Sequence, residues 1–336
     1  MKNNVKSRVI ISLILGIIIL NSCHMLMQKR ESKIHVLTLV GADAILLESD
    51  GHFGLVDAGE DLDYPDGTDL RYPFRSTTTT NPAMATEDKV ISYLKSVGVT
   101  KENLDFFLGT HAHSDHIGAA DEIIREFEPD RVYLTEYSDE YIEEYALFDY
   151  SVLWDNQYVY DHAVNAANEV DAELIQSFNN DNAKFTLGDM KLEIVNYLED
   201  YKTTPKLDAN AFSLGVKVEV NGHTAFLAGD IDNSDGDEDR LADYIGKVEI
   251  FKISHHGYNN PNVSILDSNT DAYLEKLSPS IAILTQESYN LNKRIENKLQ
   301  ELNASIIATG EYDDVAQAIV VDLSKMKITT NVDNVK

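Results

Sequence analysis

The segment Thr110-His111-Ala112-His113-Ser114-Asp115-His116 packs three imidazoles and a carboxylate into residues 111–116. Such a cluster is costly as core and unusual as surface, and its donors are those that hold zinc, with manganese and iron as alternatives. It follows a β-favouring run at 106–109 and precedes a helical stripe of Ile117, Ala120, Ile123, Ile124 and Phe127. Alternation along extended chain lets His111 and His113 face one pocket, while the turn into the helix presents Asp115 and His116 to a neighbouring one. Two later segments repeat the form of apolar strand followed by ligand: Leu227-Ala228-Gly229-Asp230, and Lys252-Ile253-Ser254-His255-His256-Gly257. Loops leaving strand ends converge on one rim of a layered fold, so the three segments together predict one site for two divalent metal ions. His24, His35, His52, His162 and His223 lack such spacing and read as packing or solvent-facing residues.

The elements that must position these residues follow from periodicity. Short β-favouring runs at 34–40, 43–48 and 52–57 are separated by Gly-Ala-Asp and Ser-Asp-Gly, the turn signals of an antiparallel start to a sheet. Residues 59–82 are polar and predict a surface loop. Val90, Ile91, Leu94 and Val97 form one face of a helix over 87–97, and a second helix is predicted over 117–127. Residues 139–170 have helical character and many aromatics, interrupted near Ser151 and Asn156; they form the core of an aromatic-rich insertion at about 138–180. Further strands are predicted at 191–197, 213–220, 223–228, 248–253, 281–284, 305–308 and 316–321, with a helix over 292–302. Asn221-Gly222 is a hairpin signal between two of these strands. Strands alternating with helices, without a linker, predict a single layered catalytic domain over 31–330.

Composition narrows the function classes. The chain has 336 residues with 28 basic and 57 acidic side chains, a formal net charge of −29. A surface of that charge repels a polyanionic backbone, which argues against nucleic acid as the partner. With 43% hydrophobic residues the chain can collapse onto a core, and a lone cysteine, Cys23, rules out a disulfide scaffold. Lys2, Lys6 and Arg8 precede the apolar run at 9–20, and Asn21-Ser22-Cys23 follows. Residues 1–30 therefore read as a secretion signal, with Cys23 as the lipidation site of a lipoprotein, or as an uncleaved N-terminal anchor. Either reading places the domain on the extracellular side of a bacterial cytoplasmic membrane; protein partners and oligomeric state are not legible.

The His-x-His-x-Asp-His pattern at 111–116 resembles that of the metallo-β-lactamase superfamily. The resemblance extends to Asp57 in Leu-Val-Asp-Ala-Gly-Glu, to Asp230, and to His256 or His255, and it implies an α+β, four-layer αββα sandwich over about 34–330. The superfamily's usual third histidine of the first site is missing between the two aspartate motifs; its nearest counterpart is Asn210. This variant resembles the competence-related and phosphodiester-cleaving branches more than the true β-lactamases. The runs GADAILLES, GHFGLVDAGEDLDYPDGTDLRYPFR, THAHSDHIG, RVYLTEYSD, LWDNQYVYD and GDIDNSDGDED further resemble the catalytic module of teichoic-acid phosphorylcholine esterases, without their choline-binding repeats.

That resemblance implies a phosphodiesterase acting on phosphorylcholine-bearing teichoic acid, lipid or a related diester. Two cations ~3.5–4 Å apart can share a hydroxide and stabilise the leaving oxygen. His111, His113 and Asn210 would hold one metal and Asp115, His116 and His256 the other, with Asp230 bridging. Asp57 would orient a ligand histidine, and His255 would be a donor to the phosphoryl group. Trp154, Tyr158 and Tyr160 would face a trimethylammonium. An extracellular nuclease, a lactonase or other hydrolase of this fold, and a non-catalytic metal-containing binding protein are the alternatives.

Overall fold

The computed structural model describes residues 31–61, 63, 65–72, 86–143, 155–258 and 268–330. Two mixed sheets face each other. In the first, the strands are β1 Ser32–Leu37, β2 Ile45–Ser49, β3 His52–Val56, β4 Leu104–Gly109, β5 Arg131–Leu134 and β6 Glu173–Ile175. In the second they are β7 Lys184–Leu187, β8 Met190–Val195, β9 Gly215–Val220, β10 His223–Leu227, β11 Ile250–Lys252, β12 Ile281–Leu284 and β13 Ser305–Ala308. Strands β14 Ala318–Asp322 and β15 Lys327–Thr330 return to the first. The orders are β15-β14-β1-β2-β3-β4-β5-β6 and β13-β12-β11-β10-β9-β8-β7. In each sheet antiparallel pairs give way to a parallel half, β3 to β6 in one and β10 to β13 in the other.

Alternation sorts the core into layers. Ile45 and Leu47 of β2, Phe106 and Leu108 of β4, and Ala225 and Leu227 of β10 meet in a cluster between the sheets. The opposite faces are covered by helices. Leu46 and Phe107 pack under α1 Glu87–Ser96, α3 Ala120–Phe127 and α4 Asn156–Glu169. Phe226 and Phe251 pack under α5 Asp237–Ile245, α6 Asp271–Leu277 and α7 Lys293–Glu301. Between α1 and α3 lies the short α2 Ser114–Ile117. The helix predicted over 117–127 is thus two helices, because the chain breaks at Gly118-Ala119 and the ligand motif itself begins a helix. Asn221 and Gly222, with φ of 55° and 85°, make the tight turn between β9 and β10. No helix among the described residues is long and apolar enough to cross a membrane.

Candidate metal centre

The site forms where parallel strands of both sheets end, the place at which open α/β sheets bind ligands. Just beyond β3, Asp57 has a φ of 60°, a left-handed conformation that Asp and Asn tolerate best among residues with a Cβ. Its Oδ1 accepts the Thr110 N–H at 2.7 Å. Its Oδ2 accepts the Thr110 hydroxyl at 2.9 Å and the Nδ1–H of His116 at 2.8 Å. With Nδ1 so engaged, His116 turns Nε2 toward Asp230 Oδ1 at 3.2 Å and Asp115 Oδ2 at 3.8 Å.

His256 arrives from the second sheet. After β11, His255 and His256 take consecutive left-handed φ values of 50° and 47°, and the Nδ1 of His256 lies 2.9 Å from the Thr285 hydroxyl. Its Nε2 then stands 3.2 Å from Asp115 Oδ2 and 3.7 Å from Asp230 Oδ2. One donor atom each from Asp115, His116, Asp230 and His256 lie within 4.8 Å of one another. Two imidazole nitrogens and two carboxylate oxygens match the donors of a divalent zinc, manganese or iron ion. Asp115 Oδ1 is buried without a hydrogen-bond partner, so this carboxylate keeps acceptor capacity for a cation.

The other histidines line the adjoining side. His111 Nε2 and His113 Nδ1 are 2.9 Å apart, and His113 Nε2 is 3.2 Å from Asp208 Oδ1. His255 Nε2 lies 3.5 Å from Asn210 Nδ2 and 3.8 Å from Asp230 Oδ2, which places Asp230 between the two halves. Asn210 Oδ1 is buried without a hydrogen-bond partner. Burial, and then His116 and His113, hold the His111 imidazole well below its ordinary pKa, so that ring is neutral. Burial works against an ionised Asp230, but His116, His256, His255 and Lys252 hold it well below the usual carboxylate range.

Residues 37–176, which carry β2 to β6 and the His111–His116 cluster, match the family model described as Metallo-beta-lactamase superfamily. The fold is the metallo-beta-lactamase fold. Solved structures resemble the chain distantly. The metallo-beta-lactamase fold protein YhfI from Bacillus subtilis aligns at 12% identity over 88% of this chain and 100% of its own, with a TM-score of 0.48. CmlA, a diiron beta-hydroxylase from Streptomyces venezuelae, aligns at 12% identity over 82% of this chain and 52% of its own, TM-score 0.46. A metallo-beta-lactamase from Cronobacter sakazakii with a HARLDQ motif aligns at 14% identity over 56% and 53%, TM-score 0.32. No curated protein sequence matches the chain.

Within the metallo-beta-lactamase frame, the structure brings together Asp57, His111, His113, Asp115, His116, Asn210, Asp230, His255 and His256. It puts His256 in the four-donor group and His255 beside Asn210. Tyr160 corrects the expectation of an aromatic face for a headgroup: it is 5% exposed, packs on Tyr137 and takes a hydrogen bond from Gln176. Its place on the inward stripe of α4, with Val159 and Ala163, explains this. Tyr158 is half-buried between Tyr72 and His162. Trp154 and Cys23 lie outside the described residues. Sequence reasoning missed Asp43, Asp208 and Lys252. Only Lys252 left a signal, as a charge inside the apolar run Ile250-Phe251-Lys252-Ile253.

Proposed function

We propose that this chain is a metal-dependent hydrolase that cleaves phosphodiesters of the phosphorylcholine type on the extracytoplasmic face of the envelope. The observation that carries the hydrolase reading is the four-donor group Asp115, His116, Asp230 and His256, adjoined through Asp230 by His111, His113, His255 and Asn210. Asp115, His116 and His256 would hold one divalent cation, His111 and His113 with Asn210 the other, and Asp230 would serve both. Bound there, two such ions supply Lewis acidity and a nucleophile usable at neutral pH.

The chain's own groups orient and polarise. Asp57 fixes the His116 tautomer by accepting from Nδ1, as outer partners of ligand histidines do. His255, with 19% of its side chain exposed, is the most open imidazole of the cluster, which supports a role as hydrogen-bond donor to a phosphoryl or leaving oxygen. The cationic headgroup is supported by the net charge of −29 and by the Tyr158 ring on α4, a helix packed against α2. The extracytoplasmic placement rests on the basic and apolar pattern of residues 2–23.

The test is release of p-nitrophenol from p-nitrophenyl-phosphorylcholine by the zinc-loaded protein, with single-stranded DNA as the comparison substrate. Release from the diester, lost in His116→Ala, is the expected result. Cleavage of DNA alone would replace this reading with a nuclease, and a metal-loaded, folded protein inactive on both would end the phosphodiesterase reading.

A further inference from the structure

Lys252 is fully buried at the end of β11, and alternation puts its side chain on the same face as Ile250, between the two sheets. Its register partners on either side are Leu227 and Ile283, both core residues of that layer. An ammonium in an apolar layer persists only when each of its three donors finds an acceptor. Here Nζ lies 2.5 Å from Asp43 Oδ2, 2.9 Å from the Gly229 carbonyl and 3.5 Å from Asp230 Oδ1.

Asp43, 1% exposed, connects this ammonium to the rest of the centre. Its backbone N–H donates to Asp115 O at 3.0 Å, and its carbonyl accepts from Gly59 N at 2.8 Å. Its carboxylate lies 3.5 Å from His256 Nδ1 and 3.8 Å from His116 Nδ1. The Lys252–Asp43 pair therefore touches all the loops that bring Asp57, Asp115, His116, Asp230 and His256 together. On Asp230 it addresses one oxygen: Oδ1 faces Lys252 and His116, whereas Oδ2 faces His255 and His256.

We propose that Lys252 is a positioning residue of the metal centre, which fixes the plane of the Asp230 carboxylate and offsets its charge so that both oxygens stay turned toward their separate halves of the site. This rests on the reading that Asp230 serves two metal ions. Apolar filling alone would have been met by Leu or Ile, as in the strands on both sides, without the cost of desolvating a charge.

The test uses Lys252→Met and the double variant Lys252→Met/Asp43→Asn, in which the Asp43 carboxylate is no longer left buried without its cation. Metal content, chelator competition, the visible spectrum of the cobalt-loaded protein and melting of the metal-free protein are compared with wild type. The expected result is that the metal-free double variant melts close to wild type. One of its two metal equivalents should bind about 10- to 100-fold more weakly, with an altered cobalt spectrum, the scale typical of lost outer partners. Two equivalents bound with wild-type affinity and spectrum in the double variant would overturn the proposal and leave the pair as core structure. A folded wild-type protein that binds no metal would instead overturn the metal reading on which it rests.

Discussion

Asp57 shows how one side chain can set the chemistry of another. It accepts three hydrogen bonds, one of them from His116 Nδ1. In Asp57→Asn the left-handed backbone remains tolerated and the Thr110 N–H keeps its acceptor, but an amide N–H now meets His116 Nδ1. The imidazole proton then moves to Nε2, the nitrogen turned toward Asp115 and Asp230. Expected is a loss of metal affinity of about 10- to 100-fold with little change in the melting of the metal-free protein. Chelator competition measures the first and calorimetry the second; unchanged affinity would remove Asp57 from the orienting role. The ligand cluster was legible because its donors are close in sequence and few other chemistries want three imidazoles together. Asp43 was read as part of a turn and Lys252 as part of a strand, since their partnership joins positions 43 and 252 across two sheets and neither position alone announces it.

At the level of elements, the contact that brings the first two ligand loops together depends on one missing methyl. Gly118 follows α2, and a Cβ there would stand 2.4 Å from Ser114 O, 2.8 Å from Asp61 N and 3.1 Å from Gly59 O. Its φ of −52° and ψ of −57° are ordinary, so glycine is required by close approach rather than by conformation. Gly118→Ala should destabilise the fold by about 1–3 kcal/mol, the usual range for overpacking, read from the urea midpoint. It should also weaken metal binding by separating Asp57 from His116; a variant with unaltered midpoint would show the loop free to move. Periodicity found most strands to within a few residues, including β12 and β13, because buried and exposed faces impose a strict alternation. It passed over β5, β6 and β7, which have three or four residues each. It also passed over α5, whose first turn is three acids that conceal the inward Leu241, Ala242 and Ile245. Such short or highly charged elements draw their stability from packing that a sequence window does not contain.

For the molecule as a whole, a surplus of 57 acids over 28 bases means that folding buries carboxylates for which no cation is at hand. Burial, with Glu60, Asp155 and other acids around it, pushes Asp61 up to about 10. Burial pushes Glu238 up to about 8, and burial together with the hydrogen bond to Asp121 does the same for Glu122. In each case the folded pKa lies above the unfolded one, so between the two values the native state holds more protons than the unfolded chain. The stability these groups contribute is complete below about pH 4 and is lost as pH rises through 8 and, for Asp61, toward 10. The urea midpoint of metal-free protein should therefore fall between pH 5 and pH 9. Glu122 offers a local control, because a glutamine amide can donate to Asp121 as the protonated acid does. Glu122→Gln should be neutral at pH 5 and more stable than wild type at pH 9 by about 1 kcal/mol, solvent screening at this half-buried position having reduced the gain. If wild type and Glu122→Gln keep the same midpoint difference at both pH values, Glu122 is ionised in the folded protein, and the descent with pH belongs to Asp61 and Glu238 on other elements of the fold.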